Sequence, residues 1–169
     1  DIRKYNESKS RFLYYPWGVW VTAYARRNLW TGILNIGEDY VYSDTDSVKF
    51  LHYDAHKPFI EWYNKCIIAK LKAMCEELKI DYTRLEPKTK KGVIKPMGVW
   101  DFEGTYTRFK TLGAKRYLVE HNGKLKLTVA GLSKQNGIAY MIEQCNGDFG
   151  KVFEMFNDEL YIDGEHTGK

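Results

Sequence analysis

Two aspartates lie one residue apart in the string Tyr-Ser-Asp-Thr-Asp-Ser that spans residues 42–47. In an extended segment, residues two apart point to the same face, so the carboxylates of Asp44 and Asp46 would stand side by side. Two such charges disfavour each other's ionisation unless cations balance them, and a carboxylate pair suits Mg²⁺, which completes its shell with water and phosphate oxygens. Such ions activate an attacking hydroxyl and stabilise charge on a departing phosphate. The pair therefore indicates metal-dependent phosphoryl chemistry, although Asp-rich strings also form ordinary turns.

The flanking sequence predicts a β-hairpin that carries the two aspartates at its tip. Residues 40–43 and 47–51 alternate like strands, and the three residues between them have turn chemistry. Upstream, apolar residues recur at helical spacing over residues 17–36, with Pro16 at the entrance and Gly37 as the stop. A helix followed by a hairpin would thus position the carboxylates.

The next part of the chain predicts a second helix and then strands. Residues 57–80 carry an amphipathic stripe, with Pro58 at the entrance. Residues 81–96 have the charge and the Pro and Gly content of a loop, and strand-like alternation covers residues 99–119. Residues 1–15 are interpreted as a lead-in whose packing partner lies upstream.

A second hairpin is predicted near the end of the chain. Asn122-Gly123 is the strongest hairpin signal in the sequence and joins residues 116–120 to residues 124–130. Beyond it the sequence predicts a turn and two short amphipathic segments, at residues 134–137, 140–145 and 150–156. The expected fold class is α+β, with an antiparallel sheet and packing helices.

Composition describes an ordinary globular chain. Its 169 residues are 44% hydrophobic and 28% charged, which excludes a disordered tail, and no apolar run approaches the roughly 18 residues that a membrane span needs. The three cysteines are an odd number without C-x-x-C spacing, which favours reduced thiols and a cytoplasmic location. The net charge of +4 is mildly basic, and the positive residues cluster between residues 84 and 134. A start at Asp1 instead of Met favours a piece of a longer polypeptide.

The aspartate string, in its strand-turn-strand setting, resembles the Y-x-D-T-D-S motif of family B DNA-directed DNA polymerases. Three further segments resemble the same family in the expected order. Residues 21–26 are similar to the helix that precedes the motif, residues 115–117 to the K-x-Y motif, and residues 130–134 to the A-G-[LM]-x-x-K turn. The likeness is best to the phage-type, protein-primed branch. It implies DNA-directed DNA polymerase activity and, for a phage enzyme, the host cytoplasm.

The resemblance implies roles for the residues of the hairpin. Asp46 matches the catalytic aspartate that ligates both metal ions, Mg²⁺ or Mn²⁺, and Asp44 matches its catalytic partner, which often meets metal through water. Tyr42 matches a tyrosine near the incoming nucleotide. Thr45 and Ser47 match small residues that hold the turn.

The resemblance also implies DNA-binding residues and domains. Lys115 and Tyr117 match residues that contact the primer terminus and the template-primer backbone, and Lys134 would face phosphates. The expected partners are a DNA primer-template, deoxynucleoside triphosphates and, in the protein-primed branch, a terminal protein. Residues 1–135 would be a palm portion with a palm-type antiparallel sheet, and residues 136–169 the start of the thumb or the palm-thumb connection.

Several family motifs do not occur in the chain. The metal-binding D-x-x-S-L-Y-P segment and the nucleotide-gripping K-x-x-x-N-S-x-Y-G helix are absent, and residues 101–103 match the proofreading D-x-E motif in letters only. The 169 residues alone are therefore not expected to polymerise DNA. Two alternatives stay open: a non-catalytic nucleic-acid-binding module on a palm scaffold, or another metal-dependent phosphotransferase. A reverse-transcriptase-like domain is disfavoured because its paired aspartates are adjacent.

Overall fold

The computed structural model of the chain describes residues 2–8 and 15–164, apart from the side chains of Tyr5 and Asn6. The described helices, α1 to α5, are Ile2–Glu7, Tyr15–Ile36, Tyr53–Glu77, Lys134–Gln144 and Phe149–Met155. The described strands, β1 to β5, are Tyr40–Asp44, Ser47–Phe50, Arg108–Gly113, Arg116–His121 and Lys124–Val129. The α+β class is confirmed. Two small antiparallel sheets, β1-β2 and β3-β4-β5, replace the single sheet that the sequence predicted.

The chain divides into two compact units, Asp1–Trp100 and Asp101–Lys169. The first unit contains α1 to α3 and the β1-β2 hairpin, and the second contains the three-stranded sheet with α4 and α5. The domain boundary implied by the resemblance, between residues 135 and 136, lies inside α4. Residue 1 and residues 9–14 of the predicted lead-in lie outside the described residues.

Helix α2 confirms the helix predicted over residues 17–36. It begins at Tyr15, so Pro16 lies in the first turn, where its missing N–H would have had no helical partner. Gly37 follows with a φ of 61°, a left-handed conformation that glycine adopts at little cost. A 3₁₀ turn over Gly37–Asp39 then leads into β1. No described helix is both long and apolar enough to cross a membrane.

Helix α3 begins four residues before the predicted start and ends three residues before the predicted end. The prediction that Pro58 marks the entrance is wrong, because Pro58 lies inside the helix. The true entrance is His52, whose left-handed backbone (φ 51°, ψ 49°) turns the chain and whose carbonyl accepts from Ala55 N–H at 2.9 Å. Proline is tolerated near a helix start at the cost of one carbonyl partner, here that of Asp54.

The amide of Asn64 holds the end of the first unit against α3. Its Nδ2 donates to the Trp100 carbonyl at 2.8 Å, and its Oδ1 accepts from the Trp100 N–H at 2.8 Å. On α2, Gly32 leaves room for the Trp100 ring, because a Cβ there would lie 3.0 Å from Trp100 Cζ2. Residues 99–107 therefore do not form the predicted strand. Their backbone is fixed by side chains and turns, and regular strand pairing begins at Arg108.

The hairpin predicted around Asn122-Gly123 is confirmed. Strand β4 pairs with β5 in antiparallel register from Arg116↔Val129 to His121↔Lys124. Asn122 and Gly123 both have positive φ, 51° and 67°, as a two-residue type I′ turn requires. The local sequence decides this connection, because few residue pairs accept that backbone.

Helices α4 and α5 pack on the three-stranded sheet and bury the core of the second unit. Its most buried members are Leu118, Leu127, Met141, Val152 and Phe156. Burial of such side chains is the main stabilising contribution to a small unit of this kind. The amphipathic segments predicted at residues 140–145 and 150–156 are thus found in α4 and α5.

The turn predicted over residues 134–137 is wrong, because these residues form the first turn of α4. Ser133 caps the helix, and its Oγ accepts from Asn136 N–H at 3.4 Å. Gly137 is buried because two leucine side chains approach it closely: a Cβ there would lie 2.6 Å from Leu132 Cδ2 and 2.9 Å from Leu127 Cδ2. The glycine therefore serves helix packing and not a turn.

Candidate metal and nucleic-acid site

The β1-β2 hairpin presents the two aspartates at its tip, as the sequence predicted. Asp44 ends β1 and pairs with Ser47 of β2, so Thr45 and Asp46 form the two-residue connection. The turn is tight, with 2.6 Å between the Asp46 nitrogen and the Asp44 carbonyl oxygen, and Thr45 has a φ of 53°. The hairpin is therefore a short, well-paired element with acidic residues at its end.

The two carboxylates differ in their surroundings. Asp44 is half-buried and Asp46 is exposed. The prediction that strand alternation aligns the two carboxylates is wrong, because the chain reverses between Asp44 and Asp46 and alternation applies only within a strand. Asp44 and Asp46 flank Thr45 in this turn.

Hydroxyl groups hold the tip, as the resemblance implied. Thr45 Oγ1 donates to Asp44 Oδ1 at 2.9 Å, and Ser47 Oγ donates to the Asp44 carbonyl at 3.2 Å. The first bond orients the Asp44 carboxylate and still leaves it lone pairs for other partners. Tyr42 shares a face of β1 with Asp44 and is buried, so its ring belongs to the packing of the first unit.

The donor set at the tip fits a hard divalent cation in part. Carboxylate oxygens are the ligands that Mg²⁺ prefers, and one or two of them suffice when phosphate and water complete the shell. Within residues 2–8 and 15–164, no group of three or more His, Cys, Asp or Glu side chains is arranged to hold a metal ion. The hairpin tip thus carries two carboxylates, Asp44 and Asp46.

The base of the hairpin carries an acid-histidine cluster that the sequence analysis missed. His52 Nδ1 lies 2.8 Å from Asp39 Oδ1, and His56 Nε2 lies 2.7 Å from Asp39 Oδ2. Leu51 N–H also donates to the Asp39 carbonyl at 2.9 Å. Asp39, the residue before β1, therefore links the start of the hairpin to the entrance of α3. The i, i+4 spacing of the two histidines would have suggested a shared partner if the helix start had been placed correctly.

The hydrogen bonds from His56 and then His52 lower the pKa of Asp39 below its ordinary value. A lowered pKa in the folded state contributes stability that is present above the unfolded-state pKa and lost as the pH falls through the folded-state pKa. We expect Asp39→Asn to lower the unfolding temperature near neutral pH, with a difference that shrinks as the pH falls below about 4 and is lost below the folded-state pKa. The unfolding temperatures of the unaltered protein and the variant, measured at a series of pH values from neutral to acidic, test this prediction. Glu38→Gln, an exposed neighbour, is the control; an equal effect there would contradict the prediction.

The predicted DNA-contacting residues lie in the second unit. Lys115 is exposed and lies in the turn between β3 and β4, with a φ of 55°, so it is not part of the strand predicted over residues 99–119. Tyr117 lies on β4, half-buried, and stacks on Phe109 with ring centroids 5.5 Å apart and planes 17° apart. Tyr117 is therefore part of an aromatic face of the sheet.

The K-x-Y segment and the segment over residues 130–134 meet at one end of the sheet. Ala130 N–H donates to the Lys115 carbonyl at 3.2 Å, directly after β5 ends. Lys134 is exposed as the first residue of α4. Two of the predicted DNA-binding segments are thus adjacent within the second unit, while Tyr42, Asp44 and Asp46 share one hairpin of the first.

No family model matches the chain, and neither the curated proteins nor the solved structures that were searched contain a match.

Proposed function

We propose that the chain is the portion of a family B DNA-directed DNA polymerase that carries its metal-binding hairpin, in the phage-type, protein-primed branch. One observation carries the proposal: the string Tyr-Ser-Asp-Thr-Asp-Ser lies at the tip of a tight antiparallel hairpin, with Asp44 ending a strand and Asp46 in the exposed turn. The three-stranded sheet and the hairpin are consistent with parts of a polymerase palm.

In this proposal the hairpin residues divide the work of holding Mg²⁺ or Mn²⁺. When bound there, such ions would activate the primer 3′-hydroxyl and neutralise charge on the leaving pyrophosphate. Asp46 offers an exposed carboxylate to the ions. Asp44 is kept in one orientation by the Thr45 hydroxyl, which limits the rotation that a free carboxylate would have. Such preorganisation matters because misplaced ligands lose much of their effect.

The second unit supplies contacts to DNA. Lys115 provides an ammonium in an exposed turn, suited to a phosphate as a point charge. Tyr117 offers a phenol to a sugar or phosphate, and Lys134 adds a second exposed cation at the start of α4. These groups position a strand without reading its sequence.

Primer extension by a longer polypeptide tests the proposal. The 169 residues are extended upstream until the D-x-x-S-L-Y-P and K-x-x-x-N-S-x-Y-G segments are included, and incorporation of deoxynucleotides is measured with Mg²⁺ and Mn²⁺. Template-directed incorporation supports the proposal. If the longer protein did not bind metal or did not incorporate deoxynucleotides, the non-catalytic nucleic-acid-binding module would be the better explanation.

Lys115→Gln is expected to weaken primer-template binding in a salt-sensitive way. Loss of one phosphate contact lowers the slope of log affinity against log salt concentration by about 1. Lys124→Gln, at the other end of the second hairpin, makes the same charge change and is the control. Fluorescence anisotropy at several salt concentrations measures both slopes; a slope for Lys115→Gln equal to that of the unaltered protein would exclude the contact.

A further inference from the structure

Residues 87–97, here named the basic loop, form a loop whose two arms are joined by backbone hydrogen bonds. Lys95 N–H donates to the Pro87 carbonyl and Thr89 N–H to the Val93 carbonyl, both at 2.9 Å. Gly92 N–H closes the tip by donating to the Thr89 carbonyl at 2.9 Å. The glycine has a φ of 79°, which its lack of a Cβ permits. The loop is therefore a backbone-paired projection of the first unit.

The basic loop concentrates positive charge. It carries four lysines, and no Asp or Glu occurs between residues 87 and 100; the lysines are Lys88, Lys90, Lys91 and Lys95. The side chains of Lys88, Lys90 and Lys91 are exposed, and none of them forms an ion pair with another residue in the described part of the chain. Two of these cations, Lys90 and Lys91, occupy the tip. Exposed ammonium groups on a backbone held by hydrogen bonds create a positive electrostatic potential that attracts a polyanion.

Exposed apolar side chains accompany the lysines. Val93, Ile94 and Met97 are 53%, 47% and 51% exposed. An acidic protein surface would satisfy the cations, and so would nucleic acid, but a second copy of this chain is disfavoured by its net charge of +4. DNA presents closely and regularly spaced phosphates next to apolar sugar and base faces, and so matches both features of the loop.

We propose that the basic loop binds the phosphodiester backbone of DNA, as a contact separate from the K-x-Y segment. The inference rests on the proposed function, since it adds a contact to the DNA that the polymerase would hold. It assigns ammonium-to-phosphate contacts to Lys88, Lys90 and Lys91, with Val93 and Ile94 against sugars. Because these contacts are to the backbone, binding is independent of sequence and falls with salt concentration.

The test compares two triple variants of the full 169-residue chain. The first replaces Lys88, Lys90 and Lys91 by Gln. The control makes the same charge change on the exposed side of α3, at the positions Lys57, Lys65 and Lys70. Binding of fluorescent duplex and single-stranded DNA of equal length is measured by anisotropy in EDTA over a salt series, and circular dichroism checks that each variant folds.

The loop variant is expected to bind about tenfold or more weakly than the unaltered chain, with a salt slope lower by about 3, while the control keeps its slope. Arg at the same three loop positions should keep the binding. Equal losses of DNA affinity in the two triple variants would show that net charge alone causes the effect and would overturn the inference. Failure of the unaltered chain to bind either DNA would overturn it as well. Because no catalysis occurs in EDTA, failed incorporation by the longer protein would refute the polymerase proposal separately.

Discussion

Replacing Asp46 by Asn in the longer polypeptide is expected to lower the rate of nucleotide incorporation by about a thousandfold or more, which corresponds to about 4 kcal/mol of transition-state stabilisation. The substitution keeps the size of the side chain and the hairpin's backbone but removes one negative charge from the exposed tip. An amide is a poorer ligand for Mg²⁺ than a carboxylate, and it carries no negative charge to balance the cations. The variant would therefore hold the ions more weakly. Single-turnover primer extension measures the loss.

Two comparisons give this experiment its meaning. Asp54→Asn, in the first turn of α3, removes an exposed carboxylate of the same unit and should leave incorporation nearly unchanged. Binding of primer-template DNA by Asp46→Asn should persist. Retained incorporation would remove Asp46 from the catalytic site, and loss of both folding and binding would assign it a structural role.

Phe156→Ala is expected to cost the second unit about 3–5 kcal/mol, because a large buried ring is removed and the cavity is only partly filled. Phe156 is 2% exposed and packs in the cluster of Leu118, Met141 and Val152. It follows α5 directly, and its N–H donates to the Val152 carbonyl at 3.0 Å. The ring therefore closes the core at the point where the last helix ends. Urea unfolding followed by circular dichroism measures the change.

Phe102→Ala is the matched control for this prediction. Phe102 belongs to the same unit but is 54% exposed, so its removal should change the free energy of unfolding far less. Similar losses for the two variants would show that the cluster around Phe156 does not stabilise the unit more than its surface does.

The sequence predicted the features whose causes are local. The type I′ turn follows from Asn122-Gly123, because those two residues accept positive φ. The aspartate hairpin follows from alternation on both sides of a string with turn chemistry. Helix α2 follows from its apolar spacing between Pro16 and Gly37. In each case the residues that decide the backbone are neighbours in the chain.

The features that the sequence did not predict depend on distant residues. The start of α3 is fixed by His52 and His56 meeting Asp39, and nothing around residue 52 alone indicates a helix. The backbone at Trp100 is held by Asn64, 36 residues away, where alternation had suggested a strand. Residues 134–137 were predicted as a turn because the packing of Gly137 against Leu127 and Leu132 cannot be inferred from its neighbours. Tertiary contacts override local preference in all three places.

The backbone of Thr45 has a consequence for any effort to engineer a sturdier version of this chain. A β-branched residue in the left-handed region is disfavoured by about 1–2 kcal/mol, and glycine or asparagine would adopt the same φ of 53° more easily. A search for stabilising substitutions would therefore select residue 45 early. Glycine there would also delete the hydroxyl that donates to Asp44 Oδ1, so the more stable hairpin would carry a less constrained Asp44 carboxylate.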